Sequence, residues 1–140
     1  MANCRLNTHT NQAAMDAVSD LLDAADPVPG YIQILSGTQP ATGATAITSQ
    51  IVLATLTLPL PATSAADATG RVDFGTIIPD TLADNTGIAT WARWFDGDGL
   101  SAYDTDVGVS GAALNLNTTS ITAGGVVSIV DFYLIHPDGT

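Results

Sequence analysis

Residues 51–58 read Ile-Val-Leu-Ala-Thr-Leu-Thr-Leu, and this run decides the fold class. Ala54, Leu56 and Leu58 alternate with Thr55 and Thr57. That two-residue period belongs to an antiparallel strand with one buried and one wet face. From Gly30 onward the chain keeps the same texture, short β-branched and aromatic runs punctuated by Gly, Pro, Asn and Asp, the pattern of strands joined by turns. Strands are expected at 31–35, 51–58, 72–77, 88–95, 103–109, 114–116 and 126–136. The run 126–136 is apolar on both faces apart from Ser128, Asp131 and His136. Such a strand is central, or one of its faces meets a partner. The expected architecture is mainly β: one antiparallel β-sandwich or jelly-roll-like domain of seven or eight strands.

Ahead of the strands, residues 10–26 place Ala14, Met15, Val18, Leu21, Leu22 and Ala25 at helical spacing, with Asp16, Ser19, Asp20 and Asp23 between them. One N-terminal amphipathic α-helix is expected, capped by the Thr10 hydroxyl and stopped by Pro27, Pro29 and Gly30. The chain thus divides into an arm and helix (1–30) and a β-sandwich (31–140), forming one compact unit. The helix stripe packs either on the domain's own sheet or on a neighbouring subunit. Met15, Val18 and Leu22 are therefore candidate interface residues. Two stretches rich in Ala, Thr, Pro and Gly, 38–49 and 59–70, read as long loops, either solvated connections or contact arms. Gln39, Pro40 and Pro61 are their candidate contact residues.

At 140 residues, 46% hydrophobic and 12% charged, the chain has the size of one ordinary domain with a core that needs no disulfide. The single Cys4 cannot form an internal bridge. No apolar run reaches the ~18 residues of a membrane span, and the N-terminus lacks the apolar centre of a cleaved export signal. The only basic residues are Arg5, Arg71 and Arg93, all 14 acidic residues are aspartate, and the formal charge is −11. Phosphate backbones and anionic membranes are bound through clustered Lys and Arg, so neither is an expected direct partner.

Chemistry-bearing residues are sparse. His9, placed before the helix, and His136, closing the last strand before Pro137-Asp138-Gly139, read as surface residues. Gly108-Val109-Ser110-Gly111 lacks the second spacer of a nucleophile elbow and has no following helix. No Gly-rich phosphate loop with Lys and no Cys/His zinc cluster is present. Asp96, Asp98, Asp104 and Asp106 are weak candidate ligands for Ca²⁺, which takes six to eight hard oxygens; read from Asp96, an EF-hand fails at positions five, six and twelve. The simpler reading is a hairpin turn at Asp96-Gly97-Asp98-Gly99. Otherwise no cofactor is expected. Trp91, Trp94 and Phe95 around Arg93 either fill the core of a central strand or form an aromatic platform for a sugar. Asn117 reads as a turn residue rather than a glycan acceptor. Asp131 lies either at a sheet edge or beside one of the arginines. Tyr133, like Trp91, is a further interface candidate.

Several stretches taken together resemble a family of small tailed-bacteriophage virion proteins: RLNTHTNQAAMDAVSDLLDAA (5–25), YIQILSGTQPATG (31–43), IVLATLTLP (51–59), TWARWFDGDG (90–99) and DVGVSGAALNLNTTSITAGGVVSI (106–129). The resemblance rests on order and texture along nearly the whole chain. It implies a non-enzymatic structural protein of the capsid decoration, or cement, type, with a β-sandwich body. By the same resemblance it would be a homotrimer bound to the major capsid protein on the outer capsid surface of the virion, assembled in the bacterial host cytoplasm. No catalytic residue comes with it. Two other readings stand beside it: a tail, neck or fibre component, and a carbohydrate-binding module using Trp91, Trp94 and the acidic loop.

Overall fold

The computed structural model describes residues 5–136. The protein is mainly β, with a single N-terminal helix and a curled mixed sheet in a sandwich-like arrangement. Helix α1 spans Thr8–Asp20 and runs into a 3₁₀ turn at Leu21–Asp23. It starts two residues before the expected position because Asn7, not Thr10, is the cap. The Asn7 carboxamide oxygen accepts both the backbone N–H and the hydroxyl of Thr10, each at 2.9 Å.

Among the described residues ten short strands follow: β1 (Tyr31–Leu35), β2 (Val52–Thr57), β3 (Arg71–Asp73), β4 (Gly87–Ile88), β5 (Trp91–Phe95), β6 (Ser101–Gly108), β7 (Leu114–Leu116), β8 (Ser120–Ile121), β9 (Ile129–Asp131) and β10 (Tyr133–Ile135). Six of them form one sheet in the order β2-β1-β5-β6-β7-β9, while β10-β3 and β4-β8 form two small pairs. All ladders are antiparallel except β6–β7, which is parallel.

Two expected strands are each divided. The run 88–95 leaves the small pair at Ile88 and enters the large sheet at Trp91. Between them Ala89 donates to the Thr119 carbonyl and Thr90 to that of Leu35. The run 126–136 divides at Phe132: β9 is an edge strand of the large sheet beside β7, and β10 pairs with β3. It is therefore not a central strand, and its two-faced apolar pattern records a change of sheets. Phe132 turns its ring onto Trp94, 4.3 Å away, and onto Phe74 at 4.9 Å. The expected strand 72–77 ends as a regular strand at Asp73, and β8 was not foreseen.

The core lies on one face of the large sheet. Ile32, Ile34, Ala54, Leu56, Ala92 and Trp94 meet Leu114, Leu116, Ile121 and Val127 there, all essentially inaccessible. The Ala54, Leu56, Leu58 alternation holds, while Leu53 is also buried, next to the register shift between Ile34 and Leu35. Burying a ring such as Trp94 removes roughly 150–250 Å² from water, worth ~4–6 kcal/mol of transfer free energy before ordering costs.

The helix stripe packs on its own chain. Met15 joins Ala66, Val72 and Leu134, and Leu22 belongs to the main core. Segment 59–70 lies along the helix, held by its aspartates. Ala66 N–H donates to Asp16 at 2.6 Å, and Ala62 N–H to both Asp23 oxygens at 3.0 and 3.1 Å. Small side chains at 62 and 66 allow this close approach, and both are buried.

Candidate functional site

The face of β1, β5 and β6 opposite the core carries the Tyr31–Phe95 stack, with centroids 4.8 Å apart, then Arg93 with Asp104, then Trp91. Alternation from the core-facing Trp94 dictates this set. Segment 36–50 folds across it as a strap without one fully buried side chain. The strap is held through its carbonyls. Those of Thr42 and Thr45 accept from Arg93, that of Gly43 from Ser101 and that of Gly37 from Thr90. Beneath it Trp91 is 0% exposed and Arg93 3%. The Asp104 carboxylate, hydrogen-bonded to the guanidinium, holds Arg93 above the ordinary arginine value, and burial opposes it.

This arrangement corrects several expectations. Trp91 and Trp94 are both fully buried, so neither offers a platform to a sugar, and Trp91 is not an interface residue. Met15 and Leu22 are buried inside the chain and are withdrawn from the interface set as well. The two Ala/Thr loops are docked on the body rather than standing away from it. Among the remaining candidates, Gln39, Pro61 and Tyr133 are exposed, and Val18 and Pro40 are half-buried.

The four aspartates considered for Ca²⁺ are not brought together. Asp96 is buried in its own turn, where Oδ1 accepts from Asp98 and Leu100 at 3.0 and 2.8 Å. Asp104 is taken by Arg93, and Asp106 accepts from Ala113 N–H at 2.9 Å. Among the described residues no group of three or more His, Cys, Asp or Glu side chains is placed to hold a metal ion. The hairpin reading of 96–99 stands, with Gly99 at φ +83°. Gly97 serves for a different reason: a Cβ there would collide with the Val28 carbonyl.

His9 lies exposed in the first turn of α1 rather than before it. His136 N–H donates to the Gly70 carbonyl at 3.1 Å. Cys4 and Pro137-Asp138-Gly139 lie outside the described residues. Asn117 is a turn residue whose carboxamide binds the facing segment, accepting from Ser128 and donating to the Val126 carbonyl. No helix among the described residues is long and apolar enough to cross a membrane.

Several exposed apolar side chains fall in the last two strands and just before them. Val126, Val130, Tyr133 and Ile135 are 53, 66, 41 and 39% exposed. Asp131 lies among them on the edge strand, its carboxylate making no hydrogen bond or ion pair among the described residues. Beside it the Arg71 guanidinium sits 4.0 Å from the Tyr133 ring centroid while it binds Asp73 at 2.7 Å. Asn115 was missed from the sequence. Its side chain clamps Ala112 from both sides, Nδ2 donating to the Ala112 carbonyl and Oδ1 accepting from its N–H, each at 3.1 Å. The Leu114-Asn115-Leu116 alternation gave no signal, because it reads as an ordinary strand with one wet face, whereas Asn115 is buried with its neighbours. No family model, no curated protein and no solved structure matches the chain.

Proposed function

We propose that this chain is a non-enzymatic structural protein of a tailed-bacteriophage virion, which decorates the capsid and stabilises it by binding the major capsid protein lattice from outside. The observation that carries the reading is the number of exposed apolar side chains in the short segment 126–135 (Val126, Val130, Tyr133 and Ile135) of an otherwise acidic chain. Apolar side chains scattered singly over a surface are ordinary, but several within ten residues of chain are what a contact segment offers. The resemblance in order and texture over nearly the whole chain supports the same reading. Attachment at many lattice points, as a homotrimer or otherwise, would let modest single contacts sum into durable binding. A charge of −11 would keep unassembled copies apart.

The test is to mix purified protein with undecorated shells of the phage that encodes it and map the product by electron microscopy. Density on the outer face of the head is expected, reduced when Val130→Asp and Tyr133→Asp are introduced together. Density on the tail alone would reject head decoration, and absence from every particle would reject the virion reading.

A further inference from the structure

The geometry points to segment 36–50 as a hinged cover, one that lifts from the outer face of β1, β5 and β6 as a unit while the sheet beneath stays folded. The segment is bonded within itself. Ser36 N–H donates to the Ile51 carbonyl at 3.0 Å, closing the base of the loop. The Gln50 side chain ties its two limbs together, donating to the Thr38 carbonyl at 2.7 Å and accepting from Thr48 N–H at 3.0 Å. At the far end Thr45 N–H donates to the Thr42 carbonyl at 3.1 Å, and the two hydroxyls lie 3.0 Å apart. All these bonds survive lifting, so the segment moves as one piece. Gly37, at φ +88° just beyond β1, supplies the pivot.

Attachment to the body is of a different kind. Near the pivot the Gly37 carbonyl accepts from the Thr90 hydroxyl at 2.6 Å. At the tip the Thr42 and Thr45 carbonyls accept from Arg93, and that of Gly43 from Ser101. No side chain of the segment is fully buried, and its two bulkiest apolar residues, Pro40 and Ile47, are half-buried. Segments with so little buried apolar contact open at lower free energy than the core. Lifting strands no charge either. Arg93 keeps both bonds to Asp104, while its freed N–H groups, the Ser101 hydroxyl and the three tip carbonyls turn to water. The main apolar cost is the uncovering of Trp91, which is fully buried when the cover is down. Its indole N–H offsets part of that cost. Among the described residues this N–H has no hydrogen-bond partner, and it gains one from water on opening.

The two tryptophans provide an internal comparison. Trp94 is also fully buried, but it donates its indole N–H to the Thr105 hydroxyl at 3.2 Å. Exchange of indole and backbone protons with D2O is followed by NMR on isotope-labelled full-length protein, each rate being referred to its intrinsic value. The Trp91 indole proton should be roughly a hundredfold less protected than that of Trp94 and than the amides of Ile32 and Ile34. Low urea should leave its rate unchanged, because lifting exposes little surface. Ser101→Ala removes one tip bond and should speed exchange at Trp91 about fivefold, with Trp94 unaltered. Cleavage within 36–50 by an elastase-type protease should accelerate by the same factor, since one opening admits both water and enzyme. Exchange of Trp91 in step with Trp94, or with the Ile32 and Ile34 amides, would overturn the cover, because the sheet itself would then be opening. So would a Trp91 rate or a cleavage rate indifferent to Ser101→Ala, since access would then not pass through lifting of the tip.

Discussion

Arg93 and Asp104 face each other across the β5–β6 ladder as a two-pronged pair, Nε to Oδ1 at 2.7 Å and Nη2 to Oδ2 at 2.9 Å, with their side chains 4% and 5% exposed. Removing one partner of such a pair strands the other charge away from water, at a cost of about 3–5 kcal/mol. Arg93→Ala should lose stability on that scale in chemical denaturation, and should speed amide exchange in segment 36–50, whose carbonyls the guanidinium holds. The double variant Arg93→Met, Asp104→Leu should cost less than the sum of the single changes, because no charge is left behind and the exposed strap carbonyls can turn to water. Since the guanidinium is held above its ordinary value, its contribution is complete below the unfolded arginine value and is lost only as the pH rises through the raised one.

Tyr103 presents the opposite case. Its hydroxyl is buried with no hydrogen-bond partner among the described residues, and burial pushes the phenol well above its ordinary value of 10.0. Tyr103→Phe should leave thermal stability unchanged or raise it by about 1 kcal/mol, because it removes an unsatisfied polar group and keeps the ring beside Trp94. The sign in alkali follows: above pH 10 the unfolded phenol ionises while the folded one does not, so stability falls with rising pH. Melting temperatures across that range should fall less steeply in Tyr103→Phe than in the parent chain.

The helix secures segment 59–70 through carboxylates rather than through its apolar stripe alone. Asp16→Ala removes the acceptor of a 2.6 Å bond from Ala66. Hydrogen bonds to charged groups contribute about 1.5–3 kcal/mol, so this variant and Asp23→Ala should each lower the denaturation midpoint. Hydrogen exchange should accelerate at Ala66 in the first and at Ala62 in the second. A uniform loss of protection over the whole chain would contradict this local attachment.

Gly97 and Gly43 should respond differently to the same added methyl group. At Gly97 a Cβ would meet the backbone of Val28, while at Gly43 nothing lies closer than 3.8 Å. Forcing a group into such contact costs about 1–3 kcal/mol. Gly97→Ala should therefore destabilise to that extent and Gly43→Ala hardly at all, measured as the difference in unfolding free energy.

The sequence shows most clearly what is local. The strands Tyr31–Leu35 and Leu114–Leu116 coincide with the expected segments, and the Ala54, Leu56, Leu58 face is buried as its period requires. Two of the runs that read too long, 88–95 and 126–136, pass from one sheet to another. Apolar continuity persists through such a corner, while the hydrogen-bonding partner changes at Ala89–Thr90 and at Phe132. That change is decided by residues far away in the chain. Candidate contact residues were legible by type but not by side. Met15, Leu22 and Trp91 are large and apolar in the way an interface residue is, and are equally what a core requires.

The strand order also fixes when the molecule can form. Gln33 and Arg93 are partners across the middle of the sheet although sixty positions separate them in the chain, so β1 has only β2 to lean on until β5 has been synthesised. Folding dominated by such distant pairings is slow, on the scale of milliseconds to seconds. A nascent chain leaving the ribosome would hold Tyr31–Leu35 as half of a hairpin, its second edge unclaimed, until Trp91–Phe95 had emerged behind it.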